Sequence, residues 1–262
     1  MSDKEKTIAQ DLPSIARLLA PCWQVHTFDS VASTMDKARE LAGEVTSEAP
    51  LLVIAASQDS GRGRQGRGWA SSPGGFYATY AFLVSSPVSS LSGLPLVAGV
   101  VVQKMLSRLG ATTRLKWPND LLSLDGKKVA GILVELLARE GRSIALVGIG
   151  INLNSEPEDV PQACSVKTLS AALYTPSQIA AELSEDLRLA WQTLQRHGFG
   201  VFRSSWEANA CWLGEEIEVH QGVGSVCGMF EGITDSGSLR LMSDGSMQEV
   251  LCGDVLRVRQ KR

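Results

Sequence analysis

The sequence predicts an α+β fold: helices and strands intermix up to about residue 210, and a small all-β unit of about fifty residues follows. Three observations carry this expectation. Leu94, Val97, Ala98, Val101, Met105 and Leu109 form a helical stripe that closes at Gly110. "LLVIAASQ" and "SIALVGIGINLN" are apolar runs that read as buried strands. After Trp212 the texture changes to short alternating stretches, "EEIEVHQG", "SVCGMFEGI", "SLRLMSDG" and "DVLRVRQ", separated by Gly, Ser and Asp turns.

In chain order, "DLPSIARLLA" reads as a short helix capped by Asp11, with Leu12, Ile15, Leu18 and Leu19 on one face. "WQVHTFDS" is extended. "STMDKARELAG" is helical, with Ser33 or Thr34 as N-cap, Asp36 in the first turn and Gly43 at the end. "LLVIAASQ" and "FYATYAFLV" are strands flanking a glycine-arginine run, and "SSPVSSLSG" is a polar loop. "TRLKW" is a strand cut by Pro118, and "DLLSLDGKKVAGILVELLA" is a hairpin turning at Asp125-Gly126. Beyond "SIALVGIGINLN", helices return from Pro176 to about His197 and from Phe199 to Ala208.

Composition narrows the function. Hydrophobic residues make up 44% of the 262 and charged residues 20%, the balance of an ordinary globular protein. A net charge of −3 gives no general basic field for nucleic acid, so any positive charge that matters is local. Cys22, Cys164, Cys211, Cys227 and Cys252 are scattered with no CxxC pair. That argues against a zinc site or a disulfide framework and for reduced thiols in a cytoplasm. The N-terminal "MSDKEKTIAQ" has no signal-peptide pattern, and no apolar run reaches the length of a membrane span.

The run "SGRGRQGRGW", Ser60 to Trp69, carries four glycines and three arginines. Gly61, Gly63 and Gly66 have G-x-G-x-x-G spacing, but a dinucleotide fold needs a helix next and an acid about twenty residues on. Here a strand follows, and no acidic residue lies between Trp69 and Lys104. A Walker A loop needs Gly-Lys before Ser or Thr, whereas Gly66 precedes Arg67 and Gly68. A protein-kinase loop needs H-R-D and D-F-G downstream, and neither occurs. A merely solvated loop would not require repeated glycine, which is costly to order. The reading that remains is a mobile loop closing on an anion. Glycine lets the backbone approach, arginine supplies paired donors for phosphate or carboxylate, and Trp69 offers a flat stacking face.

"LKWPND" sets Lys116, Asn119 and Asp120 at a strand end within a Pro-Asn-Asp turn. Lys128 stands at the threshold of an apolar strand, where an exposed hairpin lysine is the plain alternative. The two close glycines and Asn152 of "VGIGINLN" read as a bulge. Ser33 and Thr34 are caps first, and a helix N-terminus also holds polar ligand atoms. The three histidines lie far from these motifs, which weighs against a Ser-His or Cys-His triad, and no metal-ligand cluster is visible.

Together, "SVASTM", "QDSGRGRQGRGW", "KWPNDL", "KKVAGILVE" and "GIGINLN", in this order, resemble the biotin protein ligases, from roughly Trp23 to the C-terminus. The resemblance implies activation of biotin by ATP to biotinyl-5′-adenylate, then transfer to one lysine of a biotin carboxyl carrier domain. It implies a catalytic domain over 1–210, with its core from about residue 23, built as a mixed β-sheet flanked by helices and similar to class II aminoacyl-tRNA synthetases. An SH3-like β-barrel would follow over 211–262. Some relatives carry an N-terminal helix-turn-helix. About twenty residues precede the core here, too few for such a module, so the expectation is a monofunctional cytoplasmic ligase with no DNA or membrane partner. A homodimer is compatible with the family.

Residue by residue, the resemblance implies that Ser33, Thr34 and Gln58 hold the ureido ring. The backbone of Met35 would lie beside them, at a position where the family usually has Asn. Gly61, Arg62, Gly63 and Arg64 would wrap biotin and the adenylate, and Trp69 would shield the latter. Lys128 would sit by the carboxylate and the α-phosphate, and with Arg62 and Arg64 would form the catalytic set. Arg67, Lys116, Asn119 and Asn152 would lie on the nucleotide side, and Arg257 or Arg259 would approach phosphate from the barrel. ATP and Mg²⁺ are implied as co-substrate and activator, biotin as substrate, and no tightly bound prosthetic group. A lipoate or octanoate ligase is the nearest rival, and a binding-only module that sequesters biotin or a nucleotide is the rival of another class.

Overall fold

The computed structural model of the protein describes residues 12–19, 22–87, 91–222 and 224–257. Its larger sheet begins with β1 (Gln24–Val31), paired in parallel with β2 (Leu51–Gln58). It continues antiparallel through β3 (Phe76–Leu83), β7 (Arg142–Ile151), β6 (Lys128–Arg139), β5 (Asp120–Leu122) and β4 (Arg114–Lys116). The apolar run of β2 follows from its place inside this sheet. Leu51 and Val53 enter one core cluster, and Leu52 and Ile54 enter the other. A strand covered on both faces has no reason to alternate in polarity.

One face is covered by α2 (Thr34–Leu41), which packs on β2, β3 and β7 through Met35 and Ala38. The other is covered by α1 (Leu12–Leu19), α3 (Leu94–Arg108) and α5 (Pro176–His197), and α6 (Gly200–Glu207) packs against α3. Helix α5 carries a full capping box, Thr175 with Gln178, and Pro176 at its first position. Cys164 and Ser165 lead into the short α4 (Val166–Ser170), capped by Ser165. Five residues are too few to show a helical stripe, and this element was not legible in the sequence.

The C-terminal stretches form a separate antiparallel sheet: β8 (Glu216–Gln221), β9 (Gly224–Ile233), β10 (Leu239–Ser243), β11 (Ser246–Val250) and β12 (Asp254–Arg257), ordered β11-β10-β9-β8-β12. Its inner residues join the main core, with Phe230 edge-on to Trp206 at 6.3 Å and Trp117 Nε1 donating to Gly237 O at 3.0 Å. Strand β11 is one more than the sequence pattern gave. Met247 faces outward and Gln248 inward, so its polarity does not alternate in the expected sense. Two further expectations need correction. The register of β7 against β3 and β6 is unbroken through Gly148 and Gly150, so no bulge exists there. Helix α2 ends at Leu41, and Gly43 lies within a following 3₁₀ turn, Ala42–Glu44. Asp11, the expected cap of α1, lies outside the described residues.

Candidate active site

A cleft of about 490 Å³ opens between the α2 face of the large sheet, the glycine-arginine run and the edge of the C-terminal sheet. Its inner end is built by the start of α2. Ser33, in extended conformation, caps the helix by accepting from Met35 N–H at 3.3 Å. At the end of β2, Gln58 Oε1 accepts from Thr34 N–H at 2.9 Å and Thr34 Oγ1 at 3.1 Å. Thr79 Oγ1 donates to Thr34 Oγ1 at 3.0 Å, and Gln58 Nε2 donates to Ser71 Oγ at 3.1 Å. Ser33, Thr34 and Thr79 are buried, so the network is rigid. The Ser33 hydroxyl and one Gln58 amide hydrogen have no acceptor among the described residues, which equips this end to bind a polar acceptor group.

The floor is glycine. Gly131 on β6 faces Gly150 on β7 in register, and a Cβ at either would come within 2.8 Å or 2.6 Å of the Trp69 ring. Bare backbone at these two positions is what lets Trp69 lie against the sheet. Trp69 Nε1 is buried with no partner among the described residues, and Lys128 Nζ stands 5.4 Å from the ring centroid.

The run from Ser60 to Trp69 is a hairpin. Arg62 pairs with Gly68, Gly63 N–H donates to Arg67 O at 2.7 Å, and Trp69 N–H to Gly61 O at 2.8 Å. Its tip closes with Arg67 N–H on Arg64 O at 3.1 Å, with Gln65 and Gly66 at φ 55° and 72°. Two positive φ values make a type I′ turn. All three arginines meet carboxylates: Arg62 pairs with Asp36, while Arg64 and Arg67 reach Asp254 at 3.3 Å and 3.1 Å. Arg64 also donates to Asn119 Oδ1 at 3.2 Å and Gly253 O at 3.3 Å.

At the outer end, Lys128 Nζ lies 2.7 Å from Asp120 Oδ1, an ion contact without good hydrogen-bond alignment. Asn119 is fixed by Nδ2 on Ile132 O at 2.9 Å, and Lys116 Nζ stands 5.9 Å from the Trp212 ring. Beside Lys116, burial pushes the Cys211 thiol up to about 12. Burial also raises Tyr77, which donates to Ser72 O at 2.6 Å and stays neutral.

The structure thus gathers Ser33, Thr34, Met35, Gln58, Arg62, Gly63, Arg64, Arg67, Trp69, Lys116, Asn119 and Lys128 around one cleft. Gly61 lies just beneath, where a Cβ would strike Trp69 O at 2.6 Å. Asn152 does not line the cleft. It is buried behind Lys128 and donates to the Lys128 carbonyl at 3.1 Å, a bracing contact. Arg257 is turned away and pairs with Glu215 at 2.6 Å, and Arg259 lies outside the described residues. Asp36, Asp120, Gly131, His220 and Asp254 belong to the site without having been singled out as site residues. Asp120 and Gly131 carried a signal, their places in "KWPNDL" and "KKVAGILVE".

This arrangement falls in the class of the Biotin/lipoate A/B protein ligase family, whose model matches residues 27–154. The model of the Biotin protein ligase C terminal domain matches residues 212–258. The chain belongs to the biotin protein ligase family. It is 34% identical to the biotin--[acetyl-CoA-carboxylase] ligase of Paracoccus denitrificans, over 85% of this chain and 96% of that one. It is 33% identical to the bifunctional ligase/repressor BirA of Bacillus subtilis, over 87% of this chain and 72% of that one. The biotin protein ligase of Aquifex aeolicus, solved in complex with biotin and ATP, superposes with a TM-score of 0.74 at 26% identity, over 90% of this chain and 99% of that one.

Proposed function

We propose that this ligase activates biotin with ATP to biotinyl-5′-adenylate and passes the acyl group to a lysine of a biotin carboxyl carrier domain, in the cytoplasm. The observation that carries the reading is the polarity of the cleft. A neutral hydrogen-bonding pocket at Ser33, Thr34 and Gln58 is joined, under Trp69, to a cationic end with Lys128, Arg64, Arg67 and Lys116. That suits a substrate with a neutral polar head and an anionic tail. Carboxylate attack on the α-phosphorus brings two anions together, and Lys128 and Arg64 would offset the charge building on phosphate. No enzyme nucleophile is required. The second step needs a neutral carrier lysine beside the mixed anhydride, and the hairpin would keep water from it meanwhile.

The cleft lining includes two carboxylates, Asp120 and Asp254, and the described residues contain no group of three or more metal-ligating side chains. Such a donor set fits Mg²⁺ carried in on nucleotide phosphates, with Asp120, in ion contact with Lys128 at 2.7 Å, the carboxylate that would receive it. Bound there, Mg²⁺ would neutralise phosphate charge.

The test is to incubate the protein with ATP, Mg²⁺, biotin and a carrier domain and to weigh the carrier. A biotin mass gain on one lysine supports the proposal, and no gain with an active control ligase in parallel refutes it. Pyrophosphate exchange with lipoate or octanoate but not biotin would favour the related acyl ligase.

A further inference from the structure

The inner end of the cleft has two walls of opposite character. Ser33, Thr34 and Gln58 form the hydrogen-bonding wall. Next to it Met35, 3% exposed, lies on Gly148, where a Cβ would sit 2.8 Å from Met35 Sδ and 3.2 Å from its Cγ. Gly148 is opposite Leu133 on β6 and Thr79 on β3, and Met35, Leu133 and Gly148 all line the cleft. The Met35 N–H is taken by Ser33, so residue 35 presents a thioether and methylenes and no donor.

We propose that Met35 is a specificity-determining residue that selects acids whose ring edge is a thioether or methylene and rejects those whose edge carries an oxygen. The inference rests on the biotin-activating reading above. Biotin is itself two-sided, with a urea edge on one ring and a thioether on the far edge of the fused ring. Matching polar to polar and apolar to apolar sets the urea against Gln58 and the thioether against Met35. Sulfur on sulfur is a soft, polarizable contact. A sulfoxide oxygen in that place would lose its water and find no donor.

The test is pyrophosphate exchange by the full chain with biotin, desthiobiotin and biotin sulfoxide. The expected kcat/KM for the sulfoxide is about 100-fold below that for biotin, with desthiobiotin within about tenfold. Met35→Gln adds an amide donor and is expected to shrink the biotin-to-sulfoxide ratio by roughly tenfold through faster use of the sulfoxide. Met35→Leu keeps the ratio. A wild-type enzyme that uses the sulfoxide as well as biotin overturns the proposal whether or not either variant folds. An unchanged ratio in folded Met35→Gln overturns it equally. Discrimination is read only against measurable exchange with biotin. If biotin itself supports none, the activating reading fails and this proposal falls with it.

Discussion

At the inner end of the cleft, Thr34, Gln58 and Thr79 sit on a helix start and two strands and bond to one another, while Ser33 accepts from Met35 N–H. At the outer end, Arg64, Arg67 and Lys128 are partly exposed, and each meets a carboxylate, Asp254 or Asp120. The difference teaches how one cleft serves two kinds of recognition. Largely buried groups that brace one another are costly to rearrange, so the inner end is preorganised and still offers the Ser33 hydroxyl and a Gln58 amide hydrogen to a ligand. Exposed ion pairs are worth only about 0–1 kcal/mol, so an arriving anion can exchange with their carboxylates at little cost. The outer cations are held in place by counter-ions from the chain itself, two of them reaching across to the C-terminal sheet.

The largest expected effect tests the outer end as the seat of chemistry. Lys128→Ala should fold yet lose about 2.7–4 kcal/mol of transition-state stabilisation, read as pyrophosphate exchange. Near wild-type exchange would break the assignment. The floor between the two ends comes next. Gly150→Ala puts a Cβ 2.6 Å from Trp69, and displacing the ring should cost about 1–3 kcal/mol in urea unfolding, with altered tryptophan emission. If stability and emission stay put, Trp69 is not seated on that strand.

Rigidity of the inner end is probed by Thr79→Val, which removes the donor to Thr34. A loss of about 0.5–1.5 kcal/mol is expected, with KM rising for the acid and not for ATP. A rise in the ATP KM alone would reverse the roles given to the two ends. Asp254→Asn should weaken the tether of Arg64 and Arg67 by about 0.2–1 kcal/mol. Trypsin should then cut faster at those arginines, high salt should do the same to the wild type, and biotin with ATP should protect both. Cleavage indifferent to all three would show that the hairpin is not held by these pairs.

The smallest effect concerns the wall beside Lys116. Burial disfavours the Cys211 thiolate and raises its pKa to about 12, so at pH 8 it should resist iodoacetamide and gain reactivity only as pH climbs toward that value. The exposed Cys22, Cys227 and Cys252 should be alkylated first, as peptide mass mapping would show. Early modification of Cys211 would mean that this wall opens.

What the sequence determined by itself was the local order of the protein. Periodicity placed all the described α-helices except α4 and most strands, the Ser33 cap and the Asp125-Gly126 turn were readable from neighbouring residues, and five ordered segments pointed to the family. These features depend on residues a few positions apart, where side-chain spacing alone fixes what can face the core. Tertiary structure decided which groups meet. Arg64 finds Asp254, 190 residues away, and nothing in the texture of either segment announces it. Gly148 and Gly150 looked like a bulge and proved to be seats for Met35 and Trp69, because what a strand glycine admits depends on what lies above it. Asn152 was moved behind Lys128, and Arg257 turned to Glu215, by strand register and by the packing of one sheet against the other. Long-range pairing is set by how whole elements dock, and that information is spread over the entire core rather than written at the residues that pair.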